Sequence, residues 1–304
     1  MAEEPSWQLM GHEFDHSTSR LLLQVDILNS NWINLIVERS DTLNDEECWK
    51  NQLFNFFENS VSTEMCQDII HRALESCRQR YRDSLPQFGS SLFLRDICGQ
   101  TCIIEEMDPE LNAALRTARE IFGNQLGLPP LISRTELQVV TLRNGSFMAQ
   151  TKPVQYRGKI FVAKGPASAE RALDDLKEVT NLLSLPSRHP NILPPPAGLV
   201  QLSNDDHRIC GFLTPFYEKG NVDRYARRMR QEGRLLPAVL RTWFEQLVWA
   251  VEFLIGSNTW HGDIKPDNIL VSDSEELILI DLSRKYTTMA IASPEVCEGE
   301  LSLW

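Results

Sequence analysis

The stretch WHGDIKPDNILV at residues 260–271 constrains this chain more than any other. It sets two carboxylates, an ammonium, an imidazole and a carboxamide within eight residues of one another. An apolar segment of helical period precedes it, and the strand-like run LILIDLS follows it. Pro266 prevents a helix from continuing through the polar groups. The stretch is therefore predicted to be a loop between a long helix and short buried strands.

The polar groups of this loop suit one kind of chemistry. Asp281 ends the following apolar run, and a loop–strand–strand return is expected to bring it back beside Asn268. That arrangement offers two oxygen ligands for Mg²⁺, a carboxylate in Asp263 that can orient a hydroxyl, and an ammonium in Lys265 for phosphate charge. Phosphoryl transfer needs this set, because its catalysis consists mostly of positioning and charge neutralisation.

The stretch resembles the catalytic loop of the protein kinase family, which reads H-R-D-x-K-x-x-N and is followed by D-F-G. This chain has HGDIKPDN at 261–268 and then DLS at 281–283. A lysine two residues after the aspartate is the serine/threonine-kinase form. The resemblance implies that Asp263 and Lys265 are catalytic and that Asn268 and Asp281 bind Mg²⁺.

Upstream segments resemble the nucleotide-binding half of the same family. IFVAK supplies Lys164 after a predicted strand, and DLKEV supplies Glu178 on a predicted helix before an H-P-N-I turn. The resemblance implies a Lys164–Glu178 ion pair that directs the lysine at the α- and β-phosphates of ATP.

The segment FLTPFYEKGNV resembles the hinge between the two lobes of a kinase. The resemblance places Thr214 as the gatekeeper and the backbone of Tyr217 as the hydrogen-bond donor to adenine. It also implies that Ala163 and Leu270 enclose the adenine ring.

Several positions depart from the family pattern. The phosphate-covering loop should read G-x-G-x-x-G, but only Gly145 stands in LRNGSFMAQ, which predicts a weaker grip on the nucleotide. Gly262 replaces the loop arginine that pairs with a phosphorylated activation loop, and Ser283 replaces the last glycine of D-F-G. Residues 293–295 resemble the A-P-E that closes an activation segment. The resemblance covers about 131–304, so the domain is expected to be C-terminally incomplete.

Three functions follow from these matches and departures. The first is an ATP- and Mg²⁺-dependent serine/threonine protein kinase whose protein substrate is unknown. The degraded glycine loop and the altered D-F-G favour the second, a nucleotide-binding or scaffolding pseudokinase. The third is a small-molecule phosphotransferase of kinase-like fold, which Gly262 permits and the lysine of DIKPDN disfavours.

Composition limits the partners and the compartment. With 30 Lys and Arg against 42 Asp and Glu, the formal net charge of the 304 residues is −12, which disfavours duplex nucleic acid or an anionic membrane as the main partner. The longest apolar runs are about half a membrane span. Seven cysteines without framework spacing, and a start without signal-peptide character, predict an intracellular protein, cytoplasmic or nuclear.

The predicted architecture is α+β, with a two-lobed kinase-like fold. Residues 1–130 are predicted to be a helical region of unknown role, because SRLLLQVDILNSNWINLIVE and EECWKNQLFNFFENSV carry apolar residues three and four apart. A further helix is predicted from the N-cap Asp108 to Gly127. The small lobe is expected at about 131–216, with hairpin turns at Asn144-Gly145 and Arg157-Gly158, and a partial large lobe at about 217–304.

Overall fold

A computed structural model describes residues 7–15, 20–27, 31–38, 49–59, 64–81, 86–97, 100–140, 142, 151–166, 169 and 172–282. Along this part of the chain a five-stranded sheet comes first, a six-stranded sheet second and a mainly helical unit last. The α+β architecture expected from the sequence is confirmed.

The first sheet runs in chain order, and its parallel step lies between the third and fourth strands. Its strands are β1 (Trp7–Asp15), β2 (Arg20–Ile27), β3 (Asn31–Glu38), β4 (Ser91–Ile97) and β5 (Gln100–Glu106). Helices α1 (Trp49–Asn59) and α2 (Glu64–Arg80) lie between β3 and β4 in the chain, as a parallel crossover requires. The core of this unit is built from both helices and the sheet, with Leu23, Leu35, Leu53, Ile69 and Cys77 all buried.

The helical prediction for residues 1–130 is wrong over much of its length. Residues 20–27 and 31–38 pair as an antiparallel hairpin instead of forming a helix. Leu21, Leu23 and Val25 are buried at every second position, which is the period of a strand with one face on a core. The segment is so rich in apolar residues that it also satisfies helical spacing. The helices predicted around EECWKNQLFNFFENSV and MCQDIIHRALESCRQRYR are present as α1 and α2.

The connection between the two sheets contains two short helices where one was predicted. Helix α3 (Pro109–Ala114) begins with Asp108 as its N-cap, as expected. Helix α4 (Ala118–Phe122) begins anew because Thr117 and Glu120 form a capping box. It ends at Gly123, whose φ of 62° favours glycine, and not at Gly127.

The second sheet has the order β6-β10-β11-β9-β8-β7. Its strands are β6 (Leu131–Ser133), β7 (Gln138–Val139), β8 (Thr151–Tyr156), β9 (Lys159–Lys164), β10 (Gly198–Gln201) and β11 (Ile209–Pro215), with α5 (Ala172–Ser184) inserted after β9. Arg157 and Gly158 both have positive φ, so they form the predicted tight turn between β8 and β9. The predicted Asn144-Gly145 turn lies outside the described residues.

The last unit combines α6 (Val222–Gln231) and α7 (Pro237–Gly256) with a small hairpin of β12 (Ile269–Val271) and β13 (Leu277–Leu279). Its core joins Tyr225, Trp243 and Leu254 of the helices to Val271 and Leu279 of the hairpin. Within the described residues, no helix combines the length and apolar character needed to cross a bilayer. The division of the chain at residues 131 and 217 stays a prediction.

Candidate active site

The loop between α7 and β12 presents the polar stretch with which the sequence analysis began. Gly262 has a φ of 80°, a left-handed conformation that residues with a Cβ rarely adopt. Lys265 is extended, and Pro266 starts a single 3₁₀ turn over Pro266–Asn268 that leads into β12. These local conformations turn the side chains of His261, Asp263 and Asn268 into the protein, where all three are buried.

His261 joins the loop to the end of β13. Its Nδ1 accepts the backbone N–H of Asp263 at 3.2 Å, so Nε2 carries the proton and donates to the carbonyl oxygen of Ile280 at 2.7 Å. Burial lowers the pKa of His261 from its ordinary value, which favours this neutral tautomer. The imidazole therefore fixes the positions of Asp263 and of the residue before Asp281.

The carboxylate of Asp263 is held by two neighbouring side chains. Lys265 Nζ lies 2.8 Å from Asp263 Oδ2. The Asn268 amide donates to the same oxygen at 3.0 Å and to the Asp263 carbonyl oxygen at 2.8 Å. Lys265 and Asn268, two of the polar groups predicted from the loop, thus each contact the third, Asp263.

A second group of charges forms around Lys164 at the end of β9. Its ammonium lies 2.5 Å from Glu178 Oε2 on α5 and 2.9 Å from Asp281 Oδ1. Burial alone disfavours the ammonium, but the two carboxylates outweigh that effect and raise the pKa of Lys164 above its ordinary value. Lys164 is therefore a cation held between two acidic side chains, and the Lys164–Glu178 ion pair that the resemblance implied is present.

The β12–β13 hairpin brings the two groups together. The backbone N–H of Ile280 donates to the Asn268 carbonyl oxygen at 3.0 Å, so Asp281 follows directly on a residue bonded to Asn268. Asp281 has a φ of 66°, an uncommon conformation outside glycine. The return predicted from the sequence is the one observed.

The segment predicted to be the hinge begins within β11. Thr214 lies opposite Val162 in the β11–β9 ladder, and its hydroxyl donates to the Val162 carbonyl oxygen at 3.3 Å. Tyr217 and Leu270 are both half-buried and pack against the core of the helical unit. Their predicted contacts with adenine stay predictions.

The adenine contact assigned to Ala163 is wrong. Successive side chains of a strand point to opposite faces, so Val162 shares the face of Lys164 and Ala163 does not. Ala163 is fully buried on the other side of the sheet, in a cluster that contains Phe88 and Leu213.

Two hydrogen bonds near the predicted site were not predicted from the sequence, and some predicted positions lie outside the described residues. Asn181, one turn after Glu178 on α5, donates to the carbonyl oxygen of Leu282 at 2.5 Å, and helical spacing from Glu178 could have indicated it. Asn221, the N-cap of α6, donates to Asp267 Oδ1 at 3.1 Å. The predicted phosphate contact at Gly145, and the departures at Ser283 and 293–295, fall outside the described residues.

A β-rich unit and a helical unit that together present a Lys–Glu–Asp charge group and an Asp–Lys–Asn loop define a protein kinase-like fold. Residues 145–290 match the family model described as the protein kinase domain. This part of the chain belongs to the protein kinase family.

Three similar proteins agree with that assignment. A probable serine/threonine-protein kinase, samkB of Dictyostelium discoideum, is 30% identical over 115 residues, which are 36% of this chain and 18% of that protein. A probable serine/threonine-protein kinase CHK1 homolog of Encephalitozoon cuniculi is 37% identical over 106 residues, 35% of this chain and 23% of that protein. Putative CBL-interacting protein kinase 13 of Oryza sativa subsp. japonica is 34% identical over 128 residues, 42% of this chain and 22% of that protein. The chain therefore matches about a fifth of the length of each of these relatives.

Proposed function

We propose that this chain binds ATP with Mg²⁺ and transfers the γ-phosphoryl group to a serine or threonine hydroxyl of a protein. The observation that carries the proposal is the closed arrangement of Lys164 between Glu178 and Asp281, at 2.5 and 2.9 Å. A protonated lysine that a buried glutamate orients is suited to binding the α- and β-phosphates of a nucleotide.

The loop residues supply the groups that act at the acceptor. Asp263 is the group that orients the acceptor hydroxyl and receives its proton, because its carboxylate is buried and fixed by Asn268 and Lys265. Lys265, beside that carboxylate, stabilises the negative charge of the transferred γ-phosphoryl group. His261 fixes the position of Asp263 by accepting its backbone N–H and takes no part in the transfer itself.

The residues around Asp281 fit a divalent cation. Carboxylate and amide oxygens are the ligands that Mg²⁺ prefers, and Asp281 directly follows Ile280, whose N–H donates to the Asn268 carbonyl oxygen. These two residues would hold the ion, which would neutralise phosphate charge. Among the described residues, no cluster of three or more His, Cys, Asp or Glu side chains is found.

The experiment is transfer of labelled phosphate from Mg-ATP to casein and to a serine/threonine peptide library, with sugars and amino-alcohols as alternative acceptors. Asp263→Asn removes the proton-accepting carboxylate and is expected to lower transfer by roughly 10²-fold or more, with nucleotide affinity retained. Asp273→Asn, an exposed change in the β12–β13 turn, is the matched control and is expected to behave as the unmodified protein. Equal transfer by the Asp263 and Asp273 variants would contradict the assigned role.

A second candidate is a nucleotide-binding pseudokinase, favoured by the single Gly145 where the family has three glycines. A thermal shift with Mg-ATP separates the two candidates when it is measured beside the transfer assay. Stabilisation by Mg-ATP without transfer to any acceptor supports the pseudokinase.

A further inference from the structure

Residues 107–137, which we call the strap, lie before the region that matches the kinase family and contain α3, α4 and β6. β6 adds a sixth strand to the second sheet, parallel to β10. The two hydrogen bonds described for the Lys164 ammonium go to Glu178 and Asp281, and neither involves the strap. Its position nevertheless relates directly to the Lys164–Glu178 pair.

Helix α4 of the strap packs against α5, the helix that carries Glu178. Phe122 is buried in one hydrophobic cluster with Leu176 and Val179 of α5, and the half-buried Ile121 and Leu183 extend that cluster. Leu176 and Val179 flank Glu178 in the sequence. The apolar surface that holds this part of α5 in place is therefore supplied in part by the strap.

The strap is itself fastened to the edge of the sheet by backbone hydrogen bonds. The N–H of Ile209 donates to the Arg116 carbonyl oxygen at 2.7 Å, and the N–H of Leu199 donates to the Pro130 carbonyl oxygen at 2.9 Å. The Arg208 guanidinium donates to the Asn112 carbonyl oxygen at 2.7 Å. Because both ends of the strap are anchored, α4 has a defined position from which to hold α5.

The opposite side of α5 meets the helical unit. Leu182 belongs to the cluster formed by α6, α7 and the β12–β13 hairpin, and Asn181 bonds the backbone at Leu282. Helix α5 is thus enclosed between the strap and the loop region that contains Asp281. A packed interface of this kind transmits a displacement instead of absorbing it, because its side chains interdigitate without spare volume.

We propose that the strap positions Glu178, with Phe122 as the positioning residue, so that the Lys164–Glu178 ion pair stays closed before any nucleotide binds. The expected effect on nucleotide affinity rests on the proposed function. The positioning of Glu178 by the strap does not depend on that function. Phe122 acts through α5 and does not itself touch the reacting groups.

The test compares the full chain with Phe122→Ala, and with Leu126→Ala as the matched control. Leu126 lies on the same strap but is 93% exposed, so its truncation should change nothing. The first readout is acetylation of Lys164 by acetic anhydride without nucleotide, quantified by mass spectrometry against the exposed Lys159 of the same strand. A closed ion pair protects Lys164, and Phe122→Ala is expected to raise its relative acetylation about fivefold.

A double-mutant cycle with Glu178→Gln separates positioning from general destabilisation. If Phe122 acts through Glu178, its truncation adds little to the acetylation of Lys164 once Glu178 is already replaced. Thermal unfolding is recorded for every variant, and Phe122→Leu, which retains an apolar side chain, should restore most of the protection. Should the alanine variant not fold, Phe122→Val takes its place in the cycle.

The second readout is the affinity for Mg-ATP, which is expected to weaken by a similar factor in Phe122→Ala. An unmodified chain that fails to bind Mg-ATP would contradict the proposed function, while the acetylation cycle would still test the strap. The inference is overturned if Phe122→Ala loses stability but leaves Lys164 as protected as before. It is equally overturned if the effects of the Phe122 and Glu178 changes on acetylation are fully additive.

Discussion

Replacing Lys164 by methionine should make the stability of this protein depend on pH in an unusual direction. The substitution leaves Glu178, which is 1% exposed, beside Asp281 without the cation that lies 2.5 Å from it. An uncompensated buried carboxylate is costly at neutral pH, on the order of 3 kcal/mol when one partner of a buried pair is removed. Protonation of Glu178 removes much of that cost.

The direction of this pH dependence follows from the pKa of Glu178. Burial already raises this pKa above its ordinary value of 4.5 in the intact pair, and loss of Lys164 removes the interaction that opposes the rise. A carboxyl group whose pKa is higher in the folded state stabilises the fold below its unfolded pKa and loses that contribution as pH rises. Each pH unit in this window changes the free energy of unfolding by up to about 1.4 kcal/mol. The deficit of Lys164→Met relative to the unmodified protein should therefore grow by up to about 2.7 kcal/mol between pH 5 and pH 7.

The assay is urea unfolding of both proteins at pH 5, 6 and 7, with Lys159→Met as the control. Lys159 is an exposed lysine of the same strand, so its replacement should shift stability by a small amount that does not vary with pH. Subtracting the unmodified protein at each pH removes the titration of all other groups. A Lys164→Met deficit that stays constant or shrinks toward pH 7 would refute the assignment of Lys164 as the partner of a buried carboxylate.

Two further predictions concern groups whose pKa values are shifted by burial. Because burial lowers the pKa of His261 below its ordinary 6.5, the folded state binds fewer protons there than the unfolded chain, so stability should fall as pH drops below about 6.5. His261→Gln should weaken that fall. The comparison is made with the unmodified protein, because the half-buried His189 contributes with the same sign. An identical pH dependence of the two proteins would contradict a buried neutral imidazole at His261. Burial also raises the pKa of the Cys77 and Cys210 thiols to about 12, so iodoacetamide at pH 8 should alkylate both only after unfolding. Native labelling at the unfolded rate, seen by mass spectrometry, would exclude their burial.

The candidate site was largely predictable from sequence because its residues lie in short segments with fixed local geometry. Pro266 and the apolar runs on either side indicated a loop returning through a hairpin, and the structure brings Asn268 and Asp281 together in that way. The resemblance to the kinase family supplied what local spacing could not, the pairing of Lys164 with Glu178. The chemical roles of these residues stay predictions.

The errors have physical causes. Residues 20–38 are compatible with both a helical and a strand period, because most positions of LLLQVDI are apolar and do not distinguish the two patterns. The hairpin forms because these residues pair with a neighbouring strand. Ala163 was assigned to the wrong face although the signal was available, since alternation from Lys164 points to Val162. The packing of the strap could not be predicted, because no local pattern indicates that residues 107–137 contact a helix that begins only at Ala172.

The arrangement around Lys164 also determines how a triphosphate would reach it under the proposed function. Lys164 is shared by two carboxylates, but the Glu178 side chain is 1% exposed whereas that of Asp281 is 32% exposed. An incoming phosphate can therefore replace Asp281 at the ammonium but not Glu178, which the packing of α5 keeps in place. Once the phosphate has displaced Asp281 from Lys164, the Asp281 carboxylate would lie beside another negative charge. A cation that arrives with the phosphate would neutralise that repulsion. Under the proposed function, nucleotide and metal would therefore bind in a coupled exchange at Asp281, and the Lys164–Glu178 pair would remain intact.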